Sequence, residues 1–131
     1  KFPEIAHVKA YYSARPFIKI NVTKDEPSIW LFDTGAAVSC ISKAYFTEIR
    51  KSTKVTKLPD DGINLMGAGK STIETLGRYA IPISVSIQGK TRTCVDAPVI
   101  VCNTLTNPGI FGIDLINEFG IVYYGKAQEF K

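Results

Sequence analysis

Ile29-Trp30-Leu31-Phe32 runs straight into Asp33-Thr34-Gly35-Ala36. Four apolar residues read as a strand buried on both faces, and they deliver a carboxylate at its end. Gly35 permits a tight turn directly after the acid and lets a backbone N–H approach the carboxylate with no Cβ in the way. The chemistry open to such a group is proton transfer. Two carboxylates held close together cannot both ionise easily, so one keeps its proton. The ionised member takes a proton from a bound water, which attacks an amide carbonyl. The protonated member donates to the carbonyl oxygen, and a proton later passes to the leaving nitrogen. Such a pair titrates jointly, and neither member owns a single midpoint. The chain carries this motif once. Asp60-Asp61-Gly62 is the nearest imitation, but it lacks the Thr or Ser and follows Lys57-Leu58-Pro59. One such acid in 131 residues implies that two copies of the chain build one site.

The elements that must hold this acid are mostly strands. Pro16 to Val22 alternates apolar and polar, as a half-buried strand does, and Thr23 to Pro27 turns it back into the Ile29–Phe32 run as a hairpin. Val38 to Ile41 reads as a short strand, and Ser42 as the cap of a helix from Lys43 to Arg50. Lys54 to Gly62 reads as a loop. Ile63 to Met66 and Lys70 to Leu76 form a hairpin around Gly67-Ala68-Gly69. Arg78 to Gln88 and Lys90 to Val95 pair around Gly89, and Ala97 to Cys102 is a further apolar strand. Gly109 to Gly120 reads as an apolar strand, a glycine and a short helix stopped by Gly120. Ile121 to Tyr124 returns as a strand.

Length and composition set bounds. A chain of 131 residues fits one domain with a real core but not two lobes. Apolar residues make up 45% of it, with Gly and Pro dispersed, which describes an ordered globular chain. The apolar runs are too short to cross a bilayer. The net charge of +4 is modest. Arg50, Lys51, Lys54 and Lys57 cluster, yet no aromatic residues interleave with them, so a solvated helix end is expected rather than a nucleic-acid surface. Cys40, Cys94 and Cys102 are odd in number and lack metal-knuckle spacing, which suits free thiols in a reducing compartment. His7 has no nucleophile to partner in a Ser-His-Asp arrangement. Phe2-Pro3 is a bond type that self-release from a precursor could use, although an accidental dipeptide is the preferred explanation.

The order of these parts, from Phe17 to Tyr124, resembles the retropepsin family, the aspartic proteases of retroviruses and LTR retrotransposons. The form Gly112-Ile113-Asp114-Leu115-Ile116 is closest in style to gypsy-type retrotransposon enzymes and cytosolic retropepsin-like proteins. The resemblance implies an all-β fold: a retropepsin-like closed β-barrel with a flap hairpin and one short C-terminal helix, homodimeric, as a single domain over residues 1–131. It implies an aspartic endopeptidase in which Asp33 is catalytic and comes once from each subunit. Thr34, Gly35 and Ala36 would support it, with Thr34 bonding across to the partner's backbone. Met66, Gly67, Ala68 and Gly69 would form the flap that closes over substrate. Leu31, Ala37, Val38, Pro108 and Ile110 would line the substrate pocket, favouring cleavage between bulky apolar residues of an extended peptide. Asp114 would make structural hydrogen bonds at the start of its helix, where a carboxylate suits the dipole.

The resemblance implies no metal and no organic cofactor. The partners implied are a second copy and a polypeptide substrate in extended conformation, with no membrane and no nucleic acid. The activity implied is polyprotein maturation, in the cytoplasm or within virus-like particles as part of a polyprotein. Two alternatives stand beside it: a non-catalytic domesticated module for dimerisation or peptide binding, and a cellular cytosolic protease of the same fold. A binder has no need of the acid at Asp33. Two departures matter. Ala37 and Ile113 stand where lentiviral members carry an Asp–Arg pair, so the dimer would lean on terminal strands and apolar contacts. Ala36 stands where many two-lobed relatives carry a Ser that stabilises the ionised carboxylate. Loss of that donor implies activity displaced toward neutral pH.

Overall fold

The computed structural model describes residues 15–22, 26–59, 65–66 and 72–131. His7, Phe2-Pro3, Asp60-Asp61-Gly62 and the hairpin tip Gly67-Ala68-Gly69 lie outside the described residues. The strands are β1 (Phe17–Ile20), β2 (Ser28–Phe32), β3 (Cys40–Ser42), β4 (Thr56–Leu58), β5 (Leu65–Met66), β6 (Thr72–Ile73), β7 (Thr75–Ile87), β8 (Lys90–Cys102), β9 (Gly109–Phe111), β10 (Tyr123–Tyr124) and β11 (Glu129–Phe130). Among the described residues two short helices join them, α1 (Lys43–Ile49) and α2 (Ile113–Phe119).

Alternation along β1 buries Ile18 and Ile20 and exposes Phe17 and Lys19. β1 pairs antiparallel with β2, from Phe17↔Leu31 to Ile20↔Ser28. Trp30 is fully buried beneath this hairpin. Its Nε1–H donates to Ser28 Oγ at 2.8 Å, and Ser28 Oγ lies 2.8 Å from the Tyr45 hydroxyl of α1. The indole N–H is thus satisfied inside the core, and burial pushes the Tyr45 hydroxyl up from its ordinary value. Ser42 caps α1 by accepting from the Tyr45 N–H at 3.1 Å.

Seven strands form one sheet in the order β1-β2-β9-β3-β8-β7-β4. β2 runs parallel to β9, and β3 runs parallel to β8. A strand from the C-terminal quarter, β9, therefore lies between two strands from the N-terminal third. The main core covers one face of this sheet. It joins Trp30, Ile41, Val99 and Phe111 to Leu115, Ile116 and Phe119 of α2. α2 stops at Gly120, whose φ of 64° is left-handed, and Arg92 Nη1 donates to the carbonyls of Phe119 and Gly120 at 3.0 and 3.1 Å.

Three expectations need correction. The sheet curls round but does not close into a barrel. β1 is only four residues long, and it meets β7 through a single bridge in which Asn21 and Ser84 exchange N–H···O bonds of 2.9 and 2.8 Å. Within the stretch read as a loop, Thr56–Leu58 pairs with Arg78–Ala80 of β7 as an edge strand. β8 is continuous through Pro98, because β3 joins it only from Ile100 onward and the missing N–H interrupts no ladder on that side. Pro82 falls at a register shift in β7, so that long strand absorbs its proline as an irregularity. The two long strands turn through Gln88 and Gly89, both at positive φ.

Gly109 shows how tightly β9 is seated. A Cβ there would lie 2.5 Å from Trp30 Cδ2 and 2.7 Å from Cε2, against a ring with no room to move. Gly109→Ala is expected to destabilise the chain by about 1–3 kcal/mol. Urea unfolding followed by tryptophan fluorescence measures the loss as a lower midpoint at unchanged slope.

Candidate active site

Asp33 follows directly on β2, and its placement is a backbone matter. Its N–H donates to the Phe111 carbonyl at 3.0 Å, extending the parallel β2–β9 pairing by one step. One residue earlier, the Phe32 N–H donates to the Pro16 carbonyl at 3.0 Å. The turn then closes on itself: the Gly35 N–H donates to Asp33 Oδ1 at 2.9 Å and the Ala36 N–H to the Asp33 carbonyl at 3.2 Å. A Cβ on Gly35 would stand 3.2 Å from that same oxygen, so only glycine allows so close an approach without a shift. The carboxyl group is half-buried, and Thr34 and Gly35 are exposed beside it.

The far end of the turn is fixed by Asp114. Its Oδ1 accepts from Ser39 Oγ at 2.7 Å, and its Oδ2 accepts from the Ser39 N–H at 3.2 Å. Ser39 is fully buried, and its hydroxyl accepts from the Gly112 N–H at 2.8 Å. The Ala36 carbonyl accepts from the Ile113 N–H at 2.8 Å. A Cβ on Gly112 would come within 2.6 Å of the Val38 carbonyl oxygen and 2.8 Å of that of Ala36. Asp114 is therefore a structural carboxylate, not a second acid beside Asp33. Ser39 went unread in the sequence. Its one signal there was a polar residue inside an otherwise apolar run, Val38 to Ile41.

An open cavity of about 920 Å³ lies at Asp33, Thr34 and Gly35. Phe32, Ile116, Val122 and Tyr123 supply much of its remaining wall. The hairpin of β10 and β11 stands on its rim. Phe130 meets Phe32 edge-on at 4.9 Å between ring centroids, and Val122 and Lys131 exchange backbone bonds of 2.9 Å. Tyr123 and Phe130 face each other across this hairpin, on either side of Gly125.

None of Leu31, Ala37, Val38, Pro108 and Ile110 lines this cavity. Leu31 alternates with Phe32 along β2, so it faces the other side of the sheet, next to Ile110 across the parallel β2–β9 pair. Val38 packs there against a second buried cluster of Cys40, Ile100 and Cys102. Ala37 is exposed, and the Pro108 carbonyl accepts from the Ser42 N–H at 2.9 Å. Asp33 thus lies between two apolar surfaces. Hydrogen bonding to Cys102 and burial push the Cys40 thiol well above its ordinary range, so it stays protonated. Met66 lies in β5, paired with Thr72. The arrangement offers one half-buried carboxylate per chain, and acid–base hydrolysis of an amide needs a second.

No family model matches the sequence, and no curated protein matches it. Solved structures do. A structure of EIAV protease complexed with the inhibitor HBY-793 is 22% identical, with a TM-score of 0.53, covering 81% of this chain and 88% of that one. The retroviral protease-like domain of Ddi1 from Leishmania major is 14% identical, with a TM-score of 0.61, covering 89% of this chain and 86% of that one. The fold is that of the retropepsins.

Removing the Ser39 hydroxyl strands the buried Gly112 N–H and takes one bond from Asp114. Ser39→Ala is expected to cost about 1–3 kcal/mol of stability, read as a fall in the urea midpoint.

Proposed function

We propose that the chain is an aspartic endopeptidase that works as a homodimer. The observation that carries this reading is the seat of Asp33: a half-buried carboxylate at the end of a core strand, its Oδ1 bonded by the Gly35 N–H at 2.9 Å, beside exposed Thr34 and Gly35. A second copy related by a two-fold axis would bring its own Asp33 against the first, and the isologous contact would place Thr34 on Thr34. Val122, an exposed apolar residue, lines the cavity at this turn and suits burial in such a contact. The similarity to EIAV protease and to the Ddi1 domain supports the same reading. In the paired site the ionised Asp33 activates water and the protonated Asp33 of the other copy polarises the scissile carbonyl. No cofactor enters these steps. The proposal extends to maturation of a polyprotein of gypsy-type retrotransposon style, in the cytoplasm or inside virus-like particles.

Cleavage of a peptide with a junction between two bulky apolar residues, followed across enzyme concentration, tests the reading. Specific activity is expected to climb with concentration as dimers form, and Asp33→Asn to lose about a thousand-fold or more. A concentration-independent rate sinks the dimer, and an active Asp33→Asn protein sinks the role of Asp33. Silence of the parent on varied peptides from acid to neutral pH would favour a binding module. Ala36→Ser adds a donor to the ionised form, so its pH–rate profile is expected to move to lower pH; an unmoved profile removes Ala36 from the account.

A further inference from the structure

The hairpin of β10 and β11 has two paired positions, Tyr123↔Phe130 and Tyr124↔Glu129. A ladder this short does not hold itself together in water, so its place is set from outside. Phe130 and Tyr123 pack on Phe32, at 4.9 and 6.3 Å between ring centroids. Further attachments come from the turn end of the β7–β8 pair. Arg92 Nη1 bridges the carbonyls of Phe119 and Gly120 just before the hairpin begins. Gln88 Nε2 donates to the Phe130 carbonyl at 3.1 Å on the returning strand. One hairpin thus grips the other both at its entry and on its return.

Gln88 is an unusual choice for its position. Ile87 pairs with Lys90, so Gln88-Gly89 is a two-residue turn, with φ of 53° and 78°. Turns with positive φ at both central residues favour Asn, Asp or Gly, which tolerate the left-handed region. Gln has length instead: one further methylene carries its amide to the Phe130 carbonyl. Arg92 is likewise placed for reach. It is half-buried, and one of its nitrogens serves two carbonyls that the end of α2 leaves without helical partners.

Neither residue lines the cavity at Asp33, but the hairpin they hold does. Val122, Tyr123 and Gln128 line the same cavity as Thr34 and Gly35, and Val122 is 52% exposed. In the two-copy reading the chains meet at Thr34, so this wall continues the contact and the second copy covers it. A hairpin already held in place costs less to order when that copy arrives.

We propose that Arg92 and Gln88 are positioning residues for the two-chain site. They hold the β10–β11 hairpin as a preformed wall for the second copy and so set the affinity of the dimer, without touching substrate. The inference rests on the dimeric reading above and adds to it the residues that prepare the contact.

The dissociation constant of the dimer, measured by sedimentation of fluorescently labelled protein across concentration, tests this. Gln88→Asn keeps an amide and suits positive φ better, but its side chain stops one methylene short of the Phe130 carbonyl. It is expected to raise the constant about three-fold, and Arg92→Gln about ten-fold. The emission of buried Trp30 is expected to stay unshifted in both, whereas a general loosening of the fold would move it to the red. The concentration that gives half-maximal specific activity is expected to rise by the same factors. A constant equal to the parent's in either variant overturns the role of that residue and leaves the protease reading intact. A parent that cleaves as a monomer overturns the dimer and this proposal together. A dimeric parent that cleaves nothing sinks catalysis, and a raised constant in the variants then still supports the two residues.

Discussion

The carboxylate of Asp114 ties together three segments that are distant in the chain. It opens α2, it accepts both the hydroxyl and the N–H of Ser39, and through Ser39 it fixes the Gly112 N–H at the exit of β9. Ser39 is fully buried and its bond from the Gly112 N–H is buried with it, so that bond works in a medium of low dielectric, where a lost partner cannot be replaced by water. The Ser39 carbonyl also accepts from the Ile100 N–H at 3.0 Å, which carries the constraint on into β8. The Asp33 turn hangs between this knot and β2. Its geometry is set by the spacing of two anchors, with little contributed by the turn's own side chains. Gly112 belongs to the same constraint, because the Val38 and Ala36 carbonyls come too close for any larger residue.

A second support is aromatic. Trp30, Phe111 and Phe32 touch in sequence, with ring centroids 6.2–6.3 Å apart, and Phe130 continues the series from Phe32. Edge-on and offset contacts of this kind add to the burial of apolar area. The series runs from the buried β1–β2 hairpin to the β10–β11 hairpin on the rim of the cavity. The two residues that flank Asp33 in space, Phe32 and Phe111, are both members. The acid is therefore held by a stiff part of the core, while the group it presents stays half open to solvent.

Much of this was legible in the chain. The run Ile29 to Phe32 announced a strand, which is buried on both faces from Trp30 to Phe32 with Ile29 left exposed, and Asp33-Thr34-Gly35 announced the turn, because both signals are local. Ser42 and Gly120 marked helix ends for the same reason. What stayed hidden depends on partners far away in sequence. β4 has weak strand character of its own and exists because β7 offers it an edge. Pro98 looked like a break because its tolerance depends on where β3 begins to pair. Ile100 and Cys40 read as ordinary core, and the register alone shows that they share a face with Leu31. The closed barrel was expected from resemblance, and among the described residues the shortness of β1 leaves one bridge across the gap.

The position of β9 between β2 and β3 has a consequence for how the molecule comes into being. β2 and β3 are made early, yet neither can settle until residues 109–111 arrive to fill the slot between them. Pairings this distant in sequence form late and slowly, since a long loop must close before any contact rewards it. During synthesis the Asp33 N–H has no Phe111 carbonyl to meet, and Ser39 has no Asp114. A nascent chain emerging from the ribosome therefore carries the Asp33 turn unassembled until residues 109–114 have been translated. The order of strands in space acts as a timer, keeping the Asp33 turn loose until β9 and the start of α2 have been made.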